Sequence, residues 1–287
     1  MSELPQYRFE HIYIDNASTD NTVPILRRLA AEDGRVKVIL NARNFGHIRS
    51  PYHALLQATG DAVISIAADL QDPPSLIKDF VRKWEEGFKV VMGVKARSQE
   101  TCLSFMLRKL YYRVLGRLSE VHLVENFTGC GLYDQQVVEI LRKIDDPYPY
   151  FRGLIADIGF EAAKIEFVQP ARKRGITKNN LYTLYDMAMV GLTNNTKIPL
   201  RLATMVGFLT AAISFLAGVF YFVYKLIYWH SFEIGLAPLV VGLFFLGGIQ
   251  LIFLGIVAEY VGAIYTQVQH RPLVIEKERI NFNSEDH

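Results

Sequence analysis

The sequence is poor in cysteine and has almost no excess of either charge. Its 287 residues include two cysteines, 31 Lys and Arg, and 29 Asp and Glu, which gives a formal net charge of +2. Cys102 and Cys130 have no CxxC spacing, so neither a disulfide framework nor a zinc site is indicated, and a reducing compartment is expected. There is no long run of Lys and Arg. Nucleic acid is therefore not expected as a partner.

Apolar residues are scarce in the first ten positions and continuous near the other end. MSELPQYRFE has no apolar stretch, so we expect no signal peptide. Residues 202–224 and 234–258 carry no charge, and each run exceeds the about 20 residues that a helix needs to cross a bilayer. The short connection over residues 225–233 permits only a helical hairpin. The sequence thus predicts a transmembrane hairpin over residues 201–265.

Basic residues lie on both flanks of this hairpin, whereas the loop between its helices offers only Lys225. The flanking residues are Lys173, Arg174, Lys178, Lys197, Arg201, Arg271, Lys277 and Arg279. By the positive-inside rule, the large domain is cytoplasmic, which predicts a multi-pass protein of the inner (plasma) membrane with the lipid bilayer as a partner. Residues 176–200 include apolar positions at helical spacing, which fit either an amphipathic juxtamembrane helix or packing in a core.

Short apolar runs alternate with helical patterns in the first 100 residues. Strands are predicted at 11–15, 36–40, 62–67 and 89–94, and helices after Ser18 or Thr19 and at 48–59 and 74–86. This order predicts an α/β domain with a mainly parallel sheet and helices on both faces. Ligands bind such sheets beyond the carboxyl ends of the strands.

Polar side chains follow those strand ends. Asp69, Gln71 and Asp72 come after the third strand, and their oxygen atoms suit Mg²⁺ or Mn²⁺ together with phosphate oxygens of a substrate. An ordinary capped turn is the alternative. The segment DNASTDNT, which begins at Asp15, offers acceptors for a nucleobase or ribose, and its alternative interpretation is a helix cap.

The order of the motifs resembles that of one enzyme family. DNASTDNT is followed by NARNFGHIRSPYHALLQATGDAVISIAADLQDPP, GLYDQQVVEIL, FRGLIADIGF, RKRGITKNN and, after the apolar runs, AEYVGAIYTQVQHRP. The chain resembles family 2 glycosyltransferases of the polyprenyl-phosphate type, which include dolichyl-phosphate mannose synthases and bactoprenol glucosyltransferases, over essentially its whole length. The resemblance implies a GT-A-like fold. It also implies transfer of a sugar from a nucleotide diphosphate sugar, with UDP preferred, to undecaprenyl or dolichyl phosphate, with inversion at the anomeric carbon.

The resemblance also implies roles for particular residues. Asp15 would contact the nucleotide base, with Asn16 and Ser18 beside it in the donor site. Asp69 and Gln71 would meet the Mg²⁺ or Mn²⁺ ion and the diphosphate. Three cations, Arg152, Arg174 and Lys178, would hold the phosphates of the donor or of the lipid. Together with Asp69 they would form the catalytic set. Binding of anionic headgroups is the alternative for Arg174 and Lys178.

The sequence departs from the family in three places. Relatives usually begin with a strand and a loop that wraps the nucleotide, and both are missing here. The strands that would flank the missing strand are therefore expected to be unpaired on that side. A truncated chain is favoured over a rearranged sheet. Ala67 and Asn16 stand where relatives often have Asp, so a weak metal site is expected. Relatives place a base Asp in the segment that begins at Glu125, but no Asp stands at that position here, which leaves Glu125 as the candidate base. A phosphate monoester is already largely dianionic at neutral pH, so positioning and charge stabilisation would suffice without a base. His47 would face either the donor or solvent.

These observations divide the chain into four parts. Residues 1–175 form the catalytic domain, 176–200 the juxtamembrane helices, 201–265 the transmembrane hairpin and 266–287 a cytoplasmic tail. A homo-oligomer formed through the membrane segments is expected from the resemblance. The alternative function is a truncated or inactive paralogue that serves as a subunit of a related membrane complex. Two membrane helices and no Gln-x-x-Arg-Trp-like element disfavour a processive polysaccharide synthase.

Overall fold

The computed structural model describes residues 4–97, 124, 126–170, 189, 193, 196–228 and 236–282. These residues divide into two compact units. The described residues of Met1–Asp186 and Thr266–His287 form the first unit, and those of Met187–Tyr265 form the second. The segment that follows the second apolar helix therefore belongs to the same unit as the α/β domain.

The first unit contains a three-stranded sheet in the order β1-β2-β7. Its strands are β1 (His11–Asp15), β2 (Val36–Asn41) and β7 (Glu276–Ile280). β1 is parallel to β2, and β7 is antiparallel to β2. Helix α1 (Thr22–Glu32) packs its buried residues on β2. Its N-cap position is Asn21 and has no side-chain hydrogen bond, so the predicted caps at Ser18 and Thr19 are wrong.

A second sheet has four strands in the order β3-β5-β4-β6. They are β3 (Ala62–Ser65), β4 (Val90–Arg97), β5 (Phe127–Asp134) and β6 (Ala162–Val168). β5 runs antiparallel to both neighbours, and β4 and β6 are parallel. The α/β class is confirmed, but the sheets are mixed rather than mainly parallel, because β5 and β7 each enter against the direction of their neighbours.

Helices cover both faces of the four-stranded sheet. On one face, Val90 and Met92 pack with α2 (Gly46–Leu56), α4 (Gln135–Lys143) and α5 (Phe151–Ile158). On the other face, Val91 and Leu132 pack with α3 (Leu76–Glu85). The alternation along β4 follows from the two-residue period of a strand. Within the described residues, β1 and β3 are edge strands and each pairs on one side only.

The second unit is built from α6 (Ile198–Ile227) and most of α7 (Leu236–Val268). The stretches Ile198–Tyr224 and Gly242–Val268 have mean hydropathies of 2.1 and 1.9, and their most apolar windows contain no buried residue. The Tyr260 hydroxyl donates to the Thr196 carbonyl at 2.7 Å, and the Phe253 ring packs against Gly207. Tyr260, near the end of α7, contacts the residue just before α6, whereas Phe253, earlier in α7, contacts Gly207 further along α6. The two helices therefore run antiparallel and form a hairpin. Both are long and apolar enough to cross a membrane.

Strand β7 is fixed to α2 by a half-buried polar cluster. The Glu276 carboxylate accepts hydrogen bonds from Arg279 and is 2.5 Å from Nε2 of His53 on α2. Arg279 also donates to Oε1 of Gln57 at 2.9 Å. Burial raises the pKa of Glu276, but the hydrogen bonds from Arg279 and His53 lower it by more, so the net pKa lies below its ordinary value of 4.5. The cluster therefore stabilises β7 when Glu276 is ionised.

Replacing Glu276 by glutamine is expected to destabilise the α/β unit by about 2 kcal/mol at pH 7, because a half-buried charged acceptor is lost. The stabilisation is fully present above the ordinary pKa and is lost as the pH falls through the lowered pKa of the folded state. The melting temperatures of the Glu276→Gln variant and the wild type should therefore converge below pH 4. Glu278→Gln, which removes an exposed ion pair on the same strand, is the control. Equal melting of both variants at pH 7 would refute a specific role for Glu276.

Candidate active site

The loop after β1 is closed by its own aspartate. Asp15 is only 5% exposed, and its Oδ2 atom accepts the backbone N–H of Ser18 at 2.9 Å. This bond brings two of the predicted donor-binding residues together in one turn. The contact of Asp15 with a nucleotide base stays a prediction.

Asn16 connects this loop to the turn between β2 and α2. Its Oδ1 atom accepts the backbone N–H of Phe45 at 2.8 Å and Nδ2 of Asn41 at 3.2 Å, and its Nδ2 atom donates to the Gly46 carbonyl at 2.9 Å. Asn41 is buried and also donates to Oγ of Ser50 at 3.0 Å. The amide of Asn16 therefore holds two strand-end loops together. Sequence reasoning missed this network, because its members are up to 34 positions apart and only the turn motif NFG hinted at it.

The loop after β3 contains Asp69 and Gln71, the predicted metal ligands. Oδ1 of Asp69 accepts the backbone N–H of Gln71 at 3.1 Å. Both side chains are partly exposed. The carboxylate and the neighbouring amide therefore belong to one turn at the solvent-facing end of the strand.

Asp72 lies beneath the same loop rather than on its surface. It is 6% exposed, and its carboxylate accepts the backbone N–H of Ala67 at 3.3 Å and the thiol of Cys130. Burial raises the pKa of Asp72, against the opposing effects of the Ala67 hydrogen bond and the Lys95 charge. Burial and the Asp72 charge raise the pKa of Cys130 to about 12, so this thiol is unreactive. Asp72 thus shapes the loop that presents Asp69.

Both candidate loops contain a left-handed backbone conformation at a residue other than glycine. Ala17 has φ of 62° and Leu70 has φ of 60°. Such conformations cost about 1–3 kcal/mol each and persist where surrounding contacts enforce them, typically at ligand sites. In the first loop the enforcing contacts are the hydrogen bonds of Asp15 and Asn16. Their occurrence in both loops supports the assignment of this region as the site.

The predicted cations fall into two groups. Arg152 lies in the first turn of α5 and is half-buried, and its neighbour Phe151 packs edge-on against Tyr133 with ring centroids 5.2 Å apart. This contact anchors the turn that carries Arg152. Arg174 and Lys178 lie outside the described residues, as does Glu125. His47 is exposed in the first turn of α2.

Comparison with known proteins identifies the family. Residues 2–141 match glycosyl transferase family 2. A bactoprenol glucosyl transferase from Shigella phage SfV is 33% identical over 276 residues, which cover 96% of this chain and 90% of the relative. The chain belongs to glycosyl transferase family 2.

Other relatives in the same family span both units of the chain. The SfII prophage-derived bactoprenol glucosyl transferase of Shigella flexneri is 33% identical over 96% of this chain and 89% of its own length. An uncharacterized glycosyltransferase, YkcC of Bacillus subtilis (strain 168), is 33% identical over 93% of this chain and 83% of its own length. The chain is therefore a glycosyltransferase, and the site at the strand ends is its candidate active site.

Family 2 glycosyltransferases commonly use a divalent metal. The loop after β3 could hold such an ion with few protein ligands. Among the described residues, no three His, Cys, Asp or Glu side chains group into a site of their own. Asp69 and Gln71 offer one carboxylate and one amide oxygen, while Asp72 is turned into the fold. Mg²⁺ is usually bound in this way, by one or two carboxylates and the phosphates of a substrate.

Proposed function

We propose that this glycosyltransferase moves a sugar from a nucleotide diphosphate sugar, with UDP as the nucleotide, to a polyprenyl phosphate. The observation that carries the proposal is the likeness to bactoprenol glucosyl transferases over 96% of the chain, because it includes the strand-end loops and both apolar helices. One chain thus brings together a candidate donor site and helices suited to a membrane that contains the acceptor.

The donor lies across the two strained loops in this proposal. The turn formed by Asp15, Asn16 and Ser18 receives the nucleoside, and Asp69 and Gln71 are the residues that would hold the metal. A bound Mg²⁺ or Mn²⁺ supplies positive charge where the leaving diphosphate gains negative charge. The hydrogen bonds of Asn16 keep the first loop rigid, so that little reorganisation is needed when the donor binds.

Transfer requires no proton removal from the acceptor. An oxygen of the phosphate monoester, which is largely dianionic at neutral pH, attacks the anomeric carbon of the sugar. The bond between that carbon and the diphosphate oxygen breaks, and the nucleoside diphosphate leaves with the electron pair. Attack from the face opposite the leaving group inverts the anomeric configuration. A catalytic base is therefore not needed.

Cations position the acceptor phosphate and stabilise the transferred charge. Arginine can bind a phosphate through two parallel hydrogen bonds, whereas lysine acts as a point charge. Arg152 is the described member of this set, and Arg174 and Lys178 complete it in the proposal. In the proposal, α6 and α7 span the inner membrane, with the α/β unit on the cytoplasmic side; the length and apolar composition of the two helices support this arrangement.

A titration of the detergent-purified chain with UDP, GDP, ADP and CDP, each with and without Mn²⁺, tests the donor site. UDP with Mn²⁺ is expected to raise the melting temperature by about 3 °C or more at saturating concentration, because a ligand that binds only the folded state stabilises it. Stabilisation by a different nucleotide would overturn the UDP assignment. No stabilisation by any of the four, with folded protein confirmed by circular dichroism, would favour the non-catalytic subunit.

A further inference from the structure

Two arginines lie against one aromatic ring at the start of α2, and a third immediately precedes the residue to which one of them is hydrogen-bonded. The guanidinium carbons of Arg43 and Arg49 lie 4.1 and 5.4 Å from the centroid of the Phe45 ring. Nη2 of Arg49 donates to the carbonyl of Pro272, the residue that follows Arg271. Arg43 lies just before α2, Arg49 lies on it, and Arg271 follows α7, so two chain segments that are distant in sequence supply the three charges.

The charges of this arginine cluster have no acidic partner among the described residues. No ion pair there joins Arg43, Arg49 or Arg271 to an Asp or Glu. The carboxylate of Asp145 contacts Nδ1 of His270 at 3.2 Å, and that of Asp146 accepts a hydrogen bond from Nε2 of Gln267 at 2.9 Å.

Arg49 shows the cost of this arrangement. Its Nε atom is buried and has no hydrogen-bond partner within the described part of the chain. Burial lowers the pKa of Arg49, and so do the positive charges of Arg43 and Arg271. Like charges in a partly desolvated place destabilise one another unless an anion compensates them. A buried donor without a partner is a further cost that a bound acceptor would remove.

The side chains at the start of α2 also favour an anion. The first turn of α2 contains no acidic residue, so no carboxylate on that turn repels a negative charge. Arginine guanidinium groups match the geometry of phosphate oxygens. The shared chemistry of the ligand is therefore a phosphate group.

The position of Arg271 in the chain indicates where this phosphate comes from. Arg271 is the third residue after Val268, the end of α7, so the chain can carry it at most about 10 Å from that helix end. α7 is long and apolar enough to cross a bilayer. A membrane-spanning α7 would hold the arginine cluster at the level of the lipid headgroups.

We propose that Arg43, Arg49 and Arg271 form a binding site for the phosphate of an anionic membrane lipid. The site is separate from the metal-binding loop of Asp69 and from the cations assigned to catalysis. Two sources share the required chemistry: a glycerophospholipid headgroup and an isoprenoid phosphate. A phosphate bound at this site would hold the segment that follows α7 against α2. It would also stabilise the turn between β2 and α2, to which Asn16 is hydrogen-bonded.

Equilibrium binding to the full-length, detergent-purified protein tests this site without relying on sugar transfer. The probes are phosphatidylglycerol, geranylgeranyl phosphate and zwitterionic phosphatidylcholine, titrated calorimetrically. The wild type is expected to bind at least one anionic probe more tightly than phosphatidylcholine, and the preferred probe identifies the source. Arg43→Gln and Arg271→Gln should each weaken that binding about tenfold, since each removes a charged hydrogen-bond donor.

Both substituted side chains are exposed, so the variants are expected to fold. Arg49 is left intact because it also holds the Pro272 carbonyl. Arg28→Gln, at an exposed position on α1, is the matched control and should bind as the wild type does. Unchanged affinity in both Arg43→Gln and Arg271→Gln, or equal binding of all three probes by the wild type, would overturn the proposal.

Discussion

Replacing Asp69 by asparagine is expected to lower the rate of sugar transfer by about a hundredfold or more while leaving the fold intact. Asparagine keeps an oxygen that can accept the N–H of Gln71, so the loop after β3 is preserved. It removes the one partly exposed carboxylate that this loop offers to a metal. Loss of one electrostatic contact to a developing charge typically costs about 10²–10³ in rate.

Initial rates at saturating donor and acceptor measure this effect, and circular dichroism confirms the fold. Asp157→Asn is the matched control, because Asp157 is an exposed carboxylate on α5. Its rate should equal that of the wild type. A rate for Asp69→Asn within threefold of the control would remove Asp69 from the site. Higher Mn²⁺ concentrations should partly restore the rate if the variant binds metal more weakly.

The second large effect is expected from Gly131→Ala, which should destabilise the α/β unit by about 3 kcal/mol. An added Cβ at this position would lie 2.3 Å from the carbonyl oxygen of Val91, a backbone atom of the neighbouring strand. Gly131 pairs with Ser65 on β3 and with Met92 on β4, so β5 has no free side toward which it can move. Overpacking of a rigid core has costs of this size.

Thermal melting of the purified protein measures the loss. Gly34→Ala is the control, because an added Cβ there meets nothing within 4 Å, and it should melt as the wild type does. If Gly131→Ala melts within one degree of the control, the close approach of β5 to Val91 is wrong. Transfer activity below the melting temperature should be retained, because Gly131 lies in the sheet rather than in a donor loop.

The sequence predicted the elements whose hydrophobic period is regular. β1 to β4 and α1 to α3 lie within a few residues of their predicted positions, and the apolar helices were visible as uncharged runs. β5 was not predicted because FTGCGLYD contains two glycines, which weaken a strand pattern. β7 was missed because EKERI is charged and resembles a solvated tail. Without these two strands, the sheet looked mainly parallel.

The candidate site was predictable as a set of motifs but not as a set of contacts. Asp69 and Asp72 are equivalent in sequence, and only the fold shows that Asp72 is turned toward Ala67 and Cys130. The sequence predicts that the Asn16 amide binds the donor, whereas in the structure both of its polar atoms form hydrogen bonds within the protein. Local patterns cannot reveal such pairings, because the partners are distant in sequence and meet only when the sheets form.

Transfer of labelled glucose from UDP-glucose to undecaprenyl phosphate tests the central claim most directly. With purified protein, Mn²⁺ and both substrates, the proposal predicts a lipid product that carries a single sugar on its phosphate in the inverted configuration. Undecaprenol, which lacks the phosphate, should give no product. Absence of a glycosylated lipid with UDP-glucose and with every other nucleotide sugar supplied, from folded wild-type protein, would contradict the claim.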